Sequence, residues 1–244
     1  MLTIAGLPTH VEESGSGPPL LYLHGAAEWI GYADPLTDLL AENFRVIQAE
    51  RRGHGRTPDV EGELTYDAMT GDTIALLDHL ALGPIPLVGF SDGGIIGLLV
   101  AIGRPDLVAS LVAIGANTRV DGLTDQSLQE LADATPENWA AENREAHQRL
   151  SPDGAEHWPV VAEKLRQMML REPNIPAGDL ARITVPTLLI GGDRDAIRVE
   201  HLVELHETIP GSQLAILPDA PHELPVAEPR LVAALTTRFI ARAL

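Results

Sequence analysis

Short apolar runs alternate with amphipathic stretches along most of this chain, and that alternation predicts a layered α/β fold built on a parallel sheet. The runs Leu20–Leu23, Arg45–Ala49, Pro86–Phe90, Ser110–Ile114, Thr187–Ile190 and Gln213–Leu217 are mostly apolar throughout. Strands covered by helices on both sides read this way, because neither face meets water. Two shorter strands are expected near Leu2–Ala5 and His10–Glu13, ahead of a turn at Ser14–Pro19. Thr65–Leu82 carries apolar residues at helical spacing, with Thr65 and Asp67 near its start. Gly94–Gly103 is nearly all apolar and predicts a buried helix. The amphipathic stretches Glu200–Thr208 and Glu228–Leu244 follow the last two strands. The sum is a mostly parallel sheet of about eight strands, covered by helices on both faces.

The alternation breaks between about Asn117 and Asp179. This segment is richer in Gln, Asn, Glu and Trp, reads as several short helices, and offers no strand. It predicts a small helical cap over residues 118–178, closed by the Pro-containing stretch Glu172–Pro176. Residues 1–117 and 179–244 then form the core.

Composition narrows the function. At 244 residues and 45% hydrophobic, the chain can bury a large core. No apolar run is long enough to span a bilayer, and the first residues lack a basic segment followed by a long apolar one. The expectation is a cytoplasmic protein that does not engage a membrane. There are no cysteines, which excludes disulfides, a thiol nucleophile and thiolate metal sites. The net charge of −18 repels phosphate backbones and argues against nucleic acid as a partner. No dinucleotide or P-loop glycine pattern follows the first strand. A small-molecule substrate is the expected partner, with neither metal nor other cofactor, and a homodimer is compatible with the sequence.

Candidate chemistry centres on GFSDGG, Gly89–Gly94, which follows one predicted strand and opens the buried helix. A serine on so sharp a turn is forced into strained dihedrals, and the flanking glycines let backbones approach. The turn lifts the Ser91 hydroxyl above the sheet edge, beside N–H groups able to stabilise an oxyanion. Serine needs a general base. Of nine histidines, His222 stands in a loop after the last strand, at the sheet edge where Ser91 emerges. His24 follows a strand in a structural position, and His54 lies in the arginine-rich turn RRGHGR. A carboxylate should orient the base, and the strand Thr187–Ile190 runs into Asp193 and Asp195; Asp121 is a weaker candidate. The strand Leu20–Leu23 ends in HGAAEW, where the N–H of Ala26 can join that of Asp92 as an oxyanion hole.

With these residues assembled, the chain resembles the α/β-hydrolase superfamily over nearly its whole length. The matching motifs are HGAA at 24–27, ERRGHGRT at 50–57, GFSDGG at 89–94, VPTLLIGGDRDAI at 185–197 and PDAPHELPVAEP at 218–229. The resemblance implies the α/β-hydrolase fold and a Ser91–Asp195–His222 triad, with Asp193 as runner-up. The RGHGR turn of such proteins follows Asp and an apolar residue, whereas Glu50 and Arg51 stand there here. SDGG and the Gly115–Asn117 sequence GAN are similar to the valacyclovir hydrolase-like group. That similarity implies that Asp92 receives a substrate ammonium; capping the following helix is its competing role. The implied activity is hydrolysis of a carboxylic ester or related activated acyl compound. Lactones and C–C bonds are alternative substrates, and a binding protein or lyase on the same scaffold is the rival reading. Trp29, Trp139, His147, His157, Trp158, Met168 and Met169 are candidate pocket residues, each with cap packing as its plainer role.

Overall fold

The computed structural model of the chain describes residues 1–139 and 141–243. Leu244, expected at the end of the last helix, lies outside the described residues. The strands are β1 (Leu2–Ile4), β2 (Leu7–Thr9), β3 (Val11–Ser14), β4 (Pro19–Leu23), β5 (Arg45–Ala49), β6 (Ile85–Phe90), β7 (Val108–Ile114), β8 (Thr187–Arg194) and β9 (Gln213–Pro221). Seven of them form one sheet in the order β3-β5-β4-β6-β7-β8-β9. All neighbours in it are parallel except β3, which runs antiparallel to β5. The expectation of about eight strands is corrected to seven. The first expected strand is a hairpin, β1 against β2, which turns at Ala5–Gly6 with positive φ at both residues and stays separate from the sheet.

Strand order determines where a site can form. From β4 the chain first adds β5 on one side, then crosses to place β6 on the other. The loops leaving the carboxyl ends of β4 and β6 therefore part in opposite directions and open a crevice between them, the position where open α/β sheets bind ligands. HGAAEW leaves β4 and Ser91 leaves β6.

The longer helices are α1 (Asp34–Ala41), α2 (Tyr66–Leu80), α3 (Asp92–Gly103), α4 (Asp125–Asp133), α5 (Ala141–Leu150), α6 (Trp158–Arg171), α7 (Ala177–Leu180), α8 (Val199–Thr208), α9 (Leu224–Ala227) and α10 (Pro229–Ala243). Thr65 caps α2, its side chain accepting from the N–H of Ala68. The sheet separates two apolar cores. One holds Leu21, Leu87, Leu111 and Leu189 with residues of α2, α3 and α8. The other holds Tyr22, Val88, Val112 and Ile190 with residues of α1 and α10. Alternate residues of β4, β6, β7 and β8 serve opposite cores, as a two-residue side-chain period requires.

Helices α4 to α6 lie in the insertion between β7 and β8. Its two ends meet: Arg119 pairs with Asn174 in an isolated bridge, and the N–H of Ile175 donates to Thr118. The far end is tied down by Asp59 of the core, whose carboxylate accepts from Lys164 Nζ at 2.6 Å and lies 2.9 Å from His157 Nε2.

Candidate active site

The turn after β6 is as strained as its sequence implies. Ser91 has φ 51° and ψ −117°, outside the regions open to most L-residues. Gly89 and Gly93 make this possible. A Cβ on Gly89 would strike the carbonyl of Gly93, and one on Gly93 would strike that of Leu23 at the end of β4. Elbow and first loop are thus held in backbone contact.

Ser91 Oγ lies 3.0 Å from Nε2 of His222, and His222 Nδ1 lies 2.5 Å from Oδ1 of Asp195. The short contact to a carboxylate assigns the proton to Nδ1, leaving the Nε2 lone pair for the serine hydroxyl. Asp195 is buried and also accepts from the N–H groups of Ile197 at 3.1 Å and Gly192 at 3.3 Å. Asp193 points elsewhere: it is exposed and accepts from the N–H of Ala220. Asp121 is also exposed and pairs with Arg119. Burial lowers the basicity of His222, but the hydrogen bond and charge of Asp195 outweigh it, so its pKa stands above the ordinary value.

The loop after β4 is tied by buried polar groups. His24 Nε2 accepts from the N–H of Arg51, so its Nδ1 donates to the carbonyl of Gly25 at 2.8 Å. Burial, with Arg51 beside it, holds the His24 pKa well below the ordinary value, and this ring stays neutral. Glu28 accepts from the N–H of Gly25 at 2.7 Å, and burial pushes its pKa up to about 8. Arg51 is buried with its guanidinium on the carbonyls of His24 and Gly25. Among the described residues, the N–H groups of Ala26 and Asp92 have no acceptor.

Asp92 is 1% exposed. Its Oδ1 accepts from the hydroxyl of Tyr66 at 2.7 Å, while Oδ2 is buried without a partner among the described residues. Burial raises its pKa, opposed by Arg51 and by the Tyr66 bond. The side chain caps no helix N–H: among the described residues its one hydrogen-bond partner is Tyr66.

A cavity of about 230 Å³ opens over Ser91, Asp92 and His222. Tyr66, Asn117, Leu131, Trp139, Met169 and Glu172 are among its walls. Trp139 and Met169 are thus brought to the site; the other expected pocket residues are not. Trp29 packs edge-on against Tyr32, with ring centroids 5.5 Å apart. His147 packs on Trp158, whose indole N–H donates to the carbonyl of Pro136, and Met168 is buried in the core. His157 Nε2 instead lies 2.9 Å from Asp59. Trp158 and Met168 are buried in the same apolar core as Leu64 and Tyr66. Tyr66, Glu172, Glu28 and Arg51 went unmarked in sequence as site residues. For Arg51 a signal existed, a charge where the resembled turn has an apolar residue.

Fold and site define a hydrolytic enzyme of the α/β type. The chain belongs to the alpha/beta hydrolase family, whose model matches residues 20–235, and it is a hydrolase on that scaffold. It is 28% identical over 232 residues to the putative carbamate hydrolase RutD of Rhizobium rhizogenes, covering 86% of this chain and 87% of the relative. It is 25% identical over 235 residues to serine hydrolase BPHL of Homo sapiens, covering 91% and 79% respectively. The enol-lactonase from Burkholderia xenovorans LB400 superposes with a TM-score of 0.78 at 19% identity, over 98% of this chain and 99% of that one. Among the described residues, no helix is long and apolar enough to cross a membrane.

Proposed function

We propose that this hydrolase cleaves a small carboxylic ester, or a related activated acyl compound, through an acyl-enzyme on Ser91. The observation that carries the reading is the 3.0 Å approach of Ser91 Oγ to His222 Nε2, with Asp195 2.5 Å behind the ring. As Oγ attacks the carbonyl carbon, His222 takes its proton. The N–H groups of Ala26 and Asp92 donate to the oxyanion. Collapse of the tetrahedral intermediate breaks the bond to the leaving group, which receives the proton from His222. Water then attacks the acyl-enzyme with His222 again as base, and the acid product leaves Ser91 free. Asp195 holds the ring and its charged form throughout.

The 230 Å³ cavity favours a compact substrate. Residues 118–178 act as the cap that sets specificity, through Trp139 and Met169. Asp92 Oδ2 is an open acceptor beside the nucleophile, suited to an N–H or O–H near the scissile carbonyl. A carbamate brings such an N–H, so carbamates belong in the substrate panel beside plain esters, aminoacyl esters and lactones.

Ser91→Ala is expected to reduce turnover of every hydrolysed substrate by about 10⁴-fold or more, with the fold unchanged by circular dichroism. A fluorophosphonate should label wild type on Ser91 and leave the variant unlabelled. Retained turnover in folded Ser91→Ala would overturn the reading in favour of a lyase or another His222-dependent reaction.

A further inference from the structure

The groups that hold the Gly25–Ala26 peptide point to a role for a residue outside the triad. The carbonyl of Gly25 accepts two hydrogen bonds, from Arg51 Nη2 at 2.9 Å and from His24 Nδ1 at 2.8 Å. The same peptide unit carries the N–H of Ala26. It is trans, the cis bond among the described residues being Glu172–Pro173, so carbonyl and N–H point in opposite directions. Arg51 therefore pulls on one end of the peptide whose other end is the proposed oxyanion donor. The preceding peptide is fixed in the same way, its carbonyl by Arg51 Nη1 and its N–H by Glu28. One guanidinium fork spans two consecutive carbonyls, which a lysine ammonium cannot reproduce.

A buried cation costs several kcal/mol unless compensated. Here the carboxyl of Asp92 offsets part of that cost electrostatically, and the backbone of Arg51 is itself pinned to His24. Among the described residues, the hydrogen-bond acceptors of the guanidinium are the two carbonyls.

We propose that Arg51 is a positioning residue of the oxyanion hole. It fixes the Gly25–Ala26 peptide and, by drawing charge onto the carbonyl, makes the N–H of Ala26 a stronger donor. The effect grows as charge develops on the substrate oxygen, so it belongs to the transition state more than to the ground state. This rests on the acyl-enzyme reading above.

The test compares wild type, Arg51→Met and Arg51→Lys, using a p-nitrophenyl ester for kinetics and infrared difference spectroscopy of the acyl-enzyme carbonyl. Arg51→Met should lose about ten- to a hundredfold in kcat with KM changed less than threefold, a smaller loss than deleting an oxyanion donor outright. Its acyl carbonyl stretch should move to higher frequency, because a weaker hole polarises the carbonyl less. Arg51→Lys should fall between the two. A loss confined to KM, or an unchanged stretch in a folded variant, overturns the proposal. If Arg51→Met does not fold, Arg51→Lys decides by the same stretch. Failure of Ser91 to acylate in wild type would instead remove the hydrolytic reading itself.

Discussion

At the scale of single residues, the site separates groups that look alike. Asp193 and Asp195 are two positions apart, a spacing that a regular strand would place on one face, but β8 shifts register between Gly192 and Arg194 and ends before Asp195. One is exposed and accepts from a single backbone N–H; the other is buried against His222. Asp195→Asn should therefore lower kcat by up to about 10⁴-fold, as the base loses the partner that fixes its tautomer. Asp193→Asn should change it less than threefold, and steady-state kinetics on any turned-over ester distinguishes the two. The pH profile follows from the same contact. In the proposed mechanism His222 accepts the serine proton only when neutral, so kcat/KM should rise with pH as the ring deprotonates, with a midpoint above the ordinary value of 6.5. In Asp195→Asn the residual activity should show that limb at lower pH, because the stabilising carboxylate is gone. A limb that stayed in place would detach His222 from Asp195.

At the scale of elements, close backbone approach between β4, β6 and α3 sets the geometry of the elbow. Gly93→Ala would press a methyl group into the carbonyl of Leu23, and backbone there cannot yield as a flexible side chain could. The expected loss is more than about 2 kcal/mol of stability, with activity falling alongside. Gly71→Ala is the matched control. Gly71 lies within α2 with open space around its Cβ direction, and the change should stabilise by about 0.5–1 kcal/mol. Urea melts of the pair test both signs together. Elements also show where periodicity falls short. Helix α1 went unread, being eight residues long with no side-chain cap at its start. Strand β2 also went unread, because it is only three residues long and follows β1 after the two-residue turn Ala5–Gly6. The long, strongly patterned helices α2, α3, α8 and α10 were legible to within two residues at most of their ends.

At the scale of the whole molecule, the segment between β7 and β8 packs α6 into the same apolar core as Leu64 and Tyr66, and polar ties at its meeting ends and at Asp59 add to that packing. Burial raises the Asp59 pKa, but hydrogen bonds from Lys164 and His157 outweigh it, and the net shift is downward. A depressed carboxylate pKa contributes stability that is present above the ordinary value of 3.8 and lost as pH falls through the lower folded value. Asp59→Asn should remove that contribution at neutral pH by leaving Lys164 half-buried without its anion. Hydrogen exchange across residues 141–171 should quicken about tenfold, and KM should rise while kcat holds within a few-fold. Unchanged exchange would mean that the remaining contacts, the apolar packing of α6 among them, hold this segment without the Asp59 carboxylate.

The sequence by itself determined the alternation of layers, the serine elbow, the loop histidine and the acidic pair, because these depend on local spacing and on residues few in kind. A G-x-S-x-G turn between an apolar strand and an apolar helix has a backbone consequence wherever it occurs. Tertiary structure decided which Asp meets His222, which cap side chains reach the cavity, and what Arg51 and Glu28 do. Those outcomes depend on contacts between segments far apart in the chain, Arg51 with Gly25 and Tyr66 with Asp92. The direction of a side chain across such a contact is set by packing and burial, which no local pattern encodes.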